Sequence, residues 1–290
     1  MSVINRLPQP DAAPAPWYER PATNAAAWFA LLTRSPRARA WSVPWRSSPR
    51  LVFSAVFLIA MIAAAIMLID LWAIASARQL SPAVIAKFQQ ITEFGTSGWV
   101  LYPLGVSVVA IGLTAPYALP RISQALVSAI VVRLSFLFLA VAIPGLFVAI
   151  VKRLIGRARP FISDDMSAYA WRPFGWATEY ASFPSGHTTT AFAVLIAFGA
   201  LWPVLRPVLW LYALLIGLSR VIVSAHHPSD VIAGAVVGTV GALLVRDWFA
   251  ARRLAFVVGS DGRVRPMPGP YVWRVWALLR RVAGLSHPSP

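Results

Sequence analysis

The sequence predicts an all-α integral membrane protein built as a six-helix bundle. Of its 290 residues, 58% are hydrophobic and only 12% are charged, whereas a soluble domain has about 25% charged residues. The apolar residues are gathered in segments that approach or exceed the roughly 20 residues a helix needs to cross a bilayer. No alternating strand pattern interrupts them. We therefore expect a single membrane domain made of transmembrane helices.

Six apolar segments are predicted to span the membrane, and all lie between Leu51 and Val245. They are residues 51–77, 98–119, 134–151, 188–205, 207–223 and 231–245. Residues 121–133 are expected to form a short amphipathic turn-back before the third span. Asp70, near the end of the first span, has two open interpretations, a position near the interface or a partner inside the bundle.

The regions before and after the spans are predicted to be basic tails. Residues 1–50 are rich in Pro and Arg, with a short interfacial helix at 24–32. Residues 246–290 contain a hairpin around Asp261 and Gly262, followed by a basic amphipathic helix at 271–282. We expect that helix to lie on anionic lipids of the inner leaflet, with a partner protein as the alternative.

The net charge of +16 is attributed to an excess of basic residues on one side of the membrane. Nucleic-acid binding is another reason for such an excess, but basic loops on the cytoplasmic side explain it in a membrane protein. With six spans, 18 of the 26 basic residues fall on the side of the two termini. We therefore expect cytoplasmic termini. Cysteine is absent from the chain, which excludes a disulfide framework and a thiolate nucleophile.

Three polar clusters are predicted to share the opposite, extracytoplasmic face. They are residues 152–160 after the third span, 183–187 before the fourth, and 219–230 between the fifth and sixth. Simpler interpretations exist, because basic residues after a span can be lipid anchors and residues such as Ser185 or Asp230 suit helix N-caps. Ionisable groups beside hydrocarbon are nevertheless costly. Cations, histidines, an aspartate and a helix N-terminus on one face indicate a phosphoryl-transfer site.

These clusters resemble the tripartite signature of the type 2 phosphatidic acid phosphatases. The matching patterns are Lys152–x6–Arg159-Pro160, Pro184-Ser185-Gly186-His187 and Ser219-Arg220–x5–His226–x3–Asp230. The resemblance covers residues 51–245 and leaves both tails outside. It implies an integral membrane lipid phosphatase whose site is related to that of the vanadium haloperoxidases.

The resemblance also implies a role for each matching residue. His226 would be the nucleophile that forms a phosphohistidine, Asp230 would orient it, and His187 would be the general acid. The implied phosphate-binding groups are Lys152, Arg159, Arg220, Ser185 and the amide of Gly186. No metal or cofactor is implied. Metal ligation by the histidines and the aspartate is the competing idea, but the surrounding cations would repel a divalent ion.

The lipid substrate is not encoded in these motifs. For a bacterial source, undecaprenyl diphosphate is the first candidate, followed by phosphatidylglycerophosphate, phosphatidic acid and lipid A phosphates. A lipid-to-lipid phosphotransferase with the same site is one alternative. A transporter or sensor that binds a phospholipid without turnover is another, although a binder needs no nucleophile. We expect membrane lipids and no nucleic acid as partners, and the sequence does not set the oligomeric state.

Four further features keep two interpretations each. His227 is adjacent to the implied nucleophile but out of pattern, so it is structural or lies beside the substrate. Arg153 and Arg157 would contact a second phosphate or the lipid surface. An aromatic stretch that includes Trp176 suits an interfacial belt or a lipid gate.

Overall fold

The computed structural model describes residues 20–37, 49–114, 121–162, 169–270 and 280, and it is mostly helical. The helices are α1 (Arg20–Leu32), α2 (Pro49–Leu68), α3 (Asp70–Arg78), α4 (Pro82–Glu93), α5 (Gly98–Thr114), α6 (Arg121–Ile155), α7 (Gly186–Leu201), α8 (Arg206–Ile222) and α9 (Pro228–Ala251). Strands β1 (Phe256–Val258) and β2 (Val264–Pro266) pair antiparallel. Short 3-10 turns lie at Thr178–Tyr180 and Pro203–Leu205.

The chain forms two compact units. Of the described residues, the first unit contains 20–37, 103–114, 121–136, 248–270 and 280, and the second contains 49–102, 137–162 and 169–247. All the residues implied to act on phosphate belong to the second unit. The predicted division of the chain at residues 50 and 245 stays a prediction.

Five helical segments of the described chain are long and apolar enough to cross a membrane. They are Leu51–Leu68, Pro82–Ile111, Ser123–Ile155, Pro203–Ile222 and Pro228–Ala251. The apolar helix α7, at 16 residues, is shorter than these. Large apolar side chains such as Phe53 and Val52 are 73% and 66% exposed, as lipid-facing residues are. The structure therefore agrees with a helical membrane protein, while the count of six spans stays a prediction.

Two predicted helix boundaries were wrong. The first span is two helices, α2 and α3, which meet at Ile69. Residues 121–133 are not a separate turn-back, because α6 runs without interruption for 35 residues. Arg133 lies inside this helix. Its guanidinium donates to the carbonyl of Ala129 at 2.9 Å and to that of Met267 at 3.0 Å. A basic residue whose donors are satisfied in this way does not have to mark the end of a span.

Helices α7 and α9 pack closely in the second unit, because two glycines of α9 face α7. A Cβ on Gly234 would lie 2.5 Å from the carbonyl oxygen of Ser185, and one on Gly238 would lie 2.3 Å from that of Thr189. The Thr189 hydroxyl joins the two helices by donating to the Gly234 carbonyl at 3.1 Å. Glycines four residues apart are the usual means of close helix approach in membranes. This packing brings the N-terminal ends of α7 and α9 together.

The first unit has a small aromatic core beside the predicted hairpin. The ring of Phe136 packs edge-on against Phe249 and Phe256, with centroids 5.4 and 4.8 Å apart. The hairpin lies where the sequence placed it, around Asp261 and Gly262. Helix α1 contains the predicted helix at 24–32, and its interfacial position stays a prediction. The predicted helix at 271–282 lies, apart from residue 280, outside the described residues.

Candidate active site

The end of α6 is shaped by a glycine that no other residue can replace without a clash. Gly156 has a φ of +65°, and a Cβ there would lie 1.8 Å from the carbonyl oxygen of Arg172. Its own carbonyl accepts the amide of Arg172 at 2.6 Å. This turn ends α6 at Ile155, so that Lys152 lies in its last turn and the chain leaves the helix before Arg157 and Arg159.

The N-terminus of α7 provides free space next to backbone amides. Ser185 occupies the predicted N-cap position, but its side chain makes no capping bond and instead accepts the Thr188 hydroxyl at 3.0 Å. Its amide donates to the carbonyl of Asp230 at 3.0 Å, which ties α7 to α9. A Cβ on Gly186 would meet no atom of the described residues within 4 Å. The first turn of α7 is thus accessible to an anion.

Two arginines present buried donors in this region. The Nε atoms of Arg159 and Arg220 are buried and have no hydrogen-bond partner among the described residues. Arg220 is held from the other side, because its Nη1 donates to the Thr92 hydroxyl at 2.7 Å. Burial lowers the pKa of Arg159, and Arg153 lowers it further, while Asp230 acts in the opposite direction. Buried guanidinium donors without partners are suited to binding an oxyanion.

His187 lies among these cations at the start of α7. Arg220, Arg159, Lys152 and His226 are all close enough to repel a charge on its imidazole. Its ring also borders Gly95, where a Cβ would lie 3.0 Å from Cδ2 of His187. The structure therefore brings the implied acid, the implied nucleophile and three of the implied phosphate-binding cations into one region.

The carboxylate of Asp230 is the most heavily bonded group of the site. Its Oδ2 accepts the Ser182 hydroxyl at 2.6 Å and the backbone amide of His227 at 2.9 Å. Its Oδ1 accepts Nη1 of Arg157 at 2.6 Å. The same Oδ2 faces Nδ1 of His226 at 3.6 Å. Asp230 is fully buried and is fixed in place by donors from several segments.

His226 is almost fully buried, with 3% of its surface exposed, and its Nδ1 points to Asp230 and Ser182. The Ser182 oxygen lies 3.5 Å from this nitrogen. Burial lowers the pKa of His226 to about 4, and the positive charges of Arg220 and Arg159 contribute, although Asp230 opposes the shift. His226 is therefore neutral at ordinary pH. With Nδ1 directed at the carboxylate, Nε2 is the nitrogen left to act.

Arg157 does not contact a lipid surface and is not free to bind a second phosphate, so both interpretations given above were wrong. It is fully buried, and its guanidinium donates to Asp70 at 2.8 Å as well as to Asp230. The position of Asp70 is settled in favour of a partner inside the bundle. His227 is a structural neighbour of Asp230, with its Nδ1 3.3 Å from Oδ2. Arg153 donates to the backbone carbonyl of Trp176.

Sequence reasoning missed several residues that surround the implied catalytic groups. Ser182 bonds Asp230, and Thr92 holds Arg220. Ser229, next to Asp230, is a third such residue, because its hydroxyl accepts Nη1 of Arg157 at 2.6 Å. The available signal for Ser182 was a polar residue two positions before the motif that begins at Pro184. No signal of this kind pointed to Thr92, which is 128 residues from its partner.

The described residues contain no group of three or more His, Cys, Asp or Glu side chains that is arranged to hold a metal ion. The predicted metal independence of the site stays a prediction, to be tested with a chelator.

Comparison with known proteins gives matches that include this region. The PAP2 superfamily matches residues 133–254. A lipid A 1-phosphatase of Rhizobium johnstonii is 36% identical over 185 residues, which cover 63% of this chain and 75% of that protein. A decaprenylphosphoryl-5-phosphoribose phosphatase of Mycobacterium tuberculosis is 29% identical over 180 residues, covering 59% of this chain and 85% of that protein. The crystal structure of Aquifex aeolicus LpxE aligns with a TM-score of 0.42 at 23% identity, over 61% of this chain and 93% of that one.

Proposed function

The chain belongs to the PAP2 superfamily and is a phosphatase, and we propose that it removes phosphate from a membrane lipid through a phosphohistidine on His226. The observation that carries the proposal is the arrangement of a buried, neutral His226 facing the Asp230 carboxylate, with buried arginine donors close by. A protein that only binds phosphate needs the cations. It does not need a nucleophile with an orienting carboxylate.

In the first step the lipid phosphate binds to the cations and to the first turn of α7. Arg159 and Arg220 donate from their Nε atoms, and Lys152, Ser185 and the Gly186 amide complete the set. The bound phosphate brings negative charge to a group of cations, which favours the protonated form of His187. Donors that are already in place stabilise the charge that develops on the phosphoryl oxygens during transfer.

The covalent step then follows from the orientation of His226. Its Nε2 lone pair attacks phosphorus, the bond from phosphorus to the lipid oxygen breaks, and His187 gives its proton to the departing oxygen. The resulting phosphohistidine is cationic at the ring, and Asp230 stabilises it through Nδ1. Neutral His187 next accepts a proton from water as that water attacks phosphorus. The phosphorus–nitrogen bond breaks, and inorganic phosphate leaves with His226 neutral again.

We propose the 1-phosphate of a lipid A-type glycolipid as the first candidate substrate. The support is the Rhizobium johnstonii relative, which carries that activity in its name and matches over three quarters of its length. Undecaprenyl diphosphate, the first candidate from the sequence alone, becomes the second. The Mycobacterium tuberculosis relative, whose name specifies a decaprenyl-linked substrate, is the observation that retains it.

We further propose that the site faces the extracytoplasmic side of a bacterial plasma membrane, with six spans and both termini in the cytoplasm. The charge asymmetry between loops supports this orientation. A reporter fused after Pro290 is expected to behave as cytoplasmic, and one inserted near Trp176 as extracytoplasmic. The opposite pattern would reverse the assignment.

The deciding experiment is release of inorganic phosphate from a lipid panel by the purified chain in detergent micelles. The panel contains lipid A 1-phosphate, lipid A 4′-phosphate, undecaprenyl diphosphate, phosphatidylglycerophosphate and phosphatidic acid. We expect the highest kcat/KM with lipid A 1-phosphate and no loss of activity in excess EDTA. No release from any lipid would overturn the proposal in favour of a binder. With a lipid labelled at phosphorus, transfer of the label to a second lipid instead of to water would identify a phosphotransferase.

A further inference from the structure

A chain of buried ionic contacts leads from Asp70 to the proposed nucleophile. Nη2 of Arg157 donates to Oδ2 of Asp70 at 2.8 Å, and Nη1 of the same guanidinium donates to Oδ1 of Asp230 at 2.6 Å. The other oxygen of Asp230 faces Nδ1 of His226 at 3.6 Å. Asp70, Arg157 and Asp230 are fully buried. The planar guanidinium with its fixed fork of donors is suited to holding two carboxylates in a set geometry.

Asp70 is anchored independently of Arg157. Its Oδ1 accepts the backbone amide of Ser229 at 2.9 Å, and its Oδ2 accepts the Ser229 hydroxyl. Ser229 lies in the first turn of α9, where backbone amides have no partner within the helix. A carboxylate at this end also interacts favourably with the helix dipole. Asp70 therefore joins α3 to the beginning of the helix that carries Asp230.

The charges explain why the three residues depend on one another. Two carboxylates buried side by side repel, and the single guanidinium between them offsets that repulsion. Arg157 also uses one oxygen of Asp230, so that the other is left for His226, His227 and Ser182. Without Asp70, the guanidinium would have one firm acceptor fewer and more freedom to rotate. Its hold on the orientation of Asp230 would weaken accordingly.

We propose that Asp70 and Arg157 are positioning residues of the phosphatase: Asp70 fixes Arg157, and Arg157 fixes the Asp230 carboxylate against His226. Neither residue touches the phosphate; Asp70 lies outside the three motifs, and Arg157 occupies an unspecified position of the first. They contribute to the transfer step. The imidazole of His226 becomes cationic in that step, and the orientation of the Asp230 carboxylate then determines how well the cation is stabilised. The inference rests on the proposed function, in which His226 carries the phosphoryl group.

The test compares Asp70→Asn with the wild type in full-length, detergent-purified protein acting on lipid A 1-phosphate, or on whichever panel lipid is cleaved fastest. A misplacement of about 1 Å at a catalytic group can cost on the order of 100-fold in rate. We expect kcat to fall about 10- to 100-fold, with KM and the inhibition constant of inorganic phosphate within about twofold of wild type because the phosphate ligands are untouched. Unchanged kcat, or a loss confined to KM, would overturn the proposal.

Thr189→Val is the matched control for a loss that is only structural. It removes a buried side-chain hydrogen bond from α7 to the Gly234 carbonyl of α9 and another to the Ser185 carbonyl at the start of α7, without changing any charge. Its activity per folded molecule is expected to stay near that of wild type, with the folded fraction taken from size-exclusion chromatography and thermal unfolding. An equal loss of kcat in Thr189→Val and Asp70→Asn would show that the network contributes stability alone, and would overturn the proposal.

A double-mutant cycle tests the order of the contacts. Arg157→Lys keeps the buried positive charge but replaces the fork by a single ammonium, which cannot hold both carboxylates in the same way. In the Arg157→Lys background, Asp70→Asn is expected to change kcat by less than about threefold. If it retains its full effect there, Asp70 does not act through Arg157. His226→Ala, measured in parallel, separates this failure from one of the proposed function, because an active His226→Ala protein would remove the phosphohistidine itself.

Discussion

Nδ1 of His227 lies 3.3 Å from Oδ2 of Asp230, closer than Nδ1 of His226, which lies 3.6 Å from the same oxygen. The two histidines therefore share one carboxylate oxygen. His227 also donates its backbone amide to that oxygen, at 2.9 Å. The role of nucleophile is assigned to His226 because of the motif spacing and the cations around it, and the shared oxygen makes the choice testable.

Replacing each histidine separately should distinguish their roles. His226→Ala is expected to lower kcat by at least about 10⁴-fold, because loss of a nucleophile removes the covalent route. His227→Asn keeps the backbone amide and a side-chain donor near Asp230, so we expect most of the activity to remain. Protein given lipid labelled at phosphorus and then quenched in alkaline detergent should carry the label in wild type and His227→Asn only, and the label should be lost in acid. Label on His226→Ala would contradict the assignment.

The lowered pKa of His226 predicts an unusual dependence of kcat/KM on pH. Attack requires neutral imidazole, and burial lowers the pKa of His226 from 6.5 to about 4. The acid limb of kcat/KM, which reports the free enzyme, should therefore fall near pH 4 after correction for ionisation of the substrate phosphate near pH 6. A corrected limb near pH 6.5 would contradict the burial argument.

The same shift predicts how stability depends on pH. The folded state keeps His226 neutral between its folded and unfolded pKa values, while the unfolded chain takes up a proton there. This contribution to the free energy of unfolding is therefore complete above pH 6.5 and is lost as the pH falls towards 4. The Tm of wild type should fall over this range more steeply than that of His226→Gln. Parallel curves would show that the shift is absent.

The turn at Gly156 predicts a large loss of stability on substitution. In Gly156→Ala the new Cβ would lie 1.8 Å from the Arg172 carbonyl oxygen, and the left-handed backbone alone costs about 1–2 kcal/mol. We expect a loss of more than about 2 kcal/mol together with loss of activity. Gly262→Ala is the control, since its φ is +73° but a Cβ there has no described residue within 4 Å. Thermal unfolding in detergent should show the larger decrease in Tm for Gly156→Ala.

Substitution of Gly186 is expected to weaken phosphate binding without lowering the stability of the protein. A Cβ at this position has no neighbour within 4 Å in the part of the chain that the structure describes, so Gly186→Ala should leave the Tm nearly unchanged. The added methyl group would stand where the phosphate approaches the first turn of α7, and we expect KM and the inhibition constant of phosphate to rise about tenfold. Gly145→Ala on α6 is the control, because a Cβ there also meets nothing within 4 Å among the residues that the structure describes. Equal KM values in the two variants would exclude contact of the phosphate with Gly186.

The sequence was sufficient for what depends on local spacing, and insufficient for what depends on distant pairing. Helical membrane character and family membership followed from apolar segments and from three motifs, and the comparisons confirmed the family. The ion pair between Asp70 and Arg157 joins residues 87 positions apart, so no local sequence pattern predicts it. The unbroken α6 was not predicted because the polar residues of 121–133 suggested a helix boundary. The break at Ile69 was not predicted because Asp70 was placed inside the first span. The glycine pair at Gly234 and Gly238 was a readable signal for close helix packing.

The contacts of Asp70 have a consequence for dissecting the protein. The PAP2 superfamily matches residues 133–254, yet Asp70 and Thr92, which hold Arg157 and Arg220, come from outside that segment. An excised fragment limited to the matching region would retain every motif residue but leave the buried guanidinium of Arg157 with only one of its two carboxylate partners. Such a fragment should not be a minimal catalytic unit. Co-expressing residues 49–114 as a separate piece is the complementation experiment that this arrangement suggests.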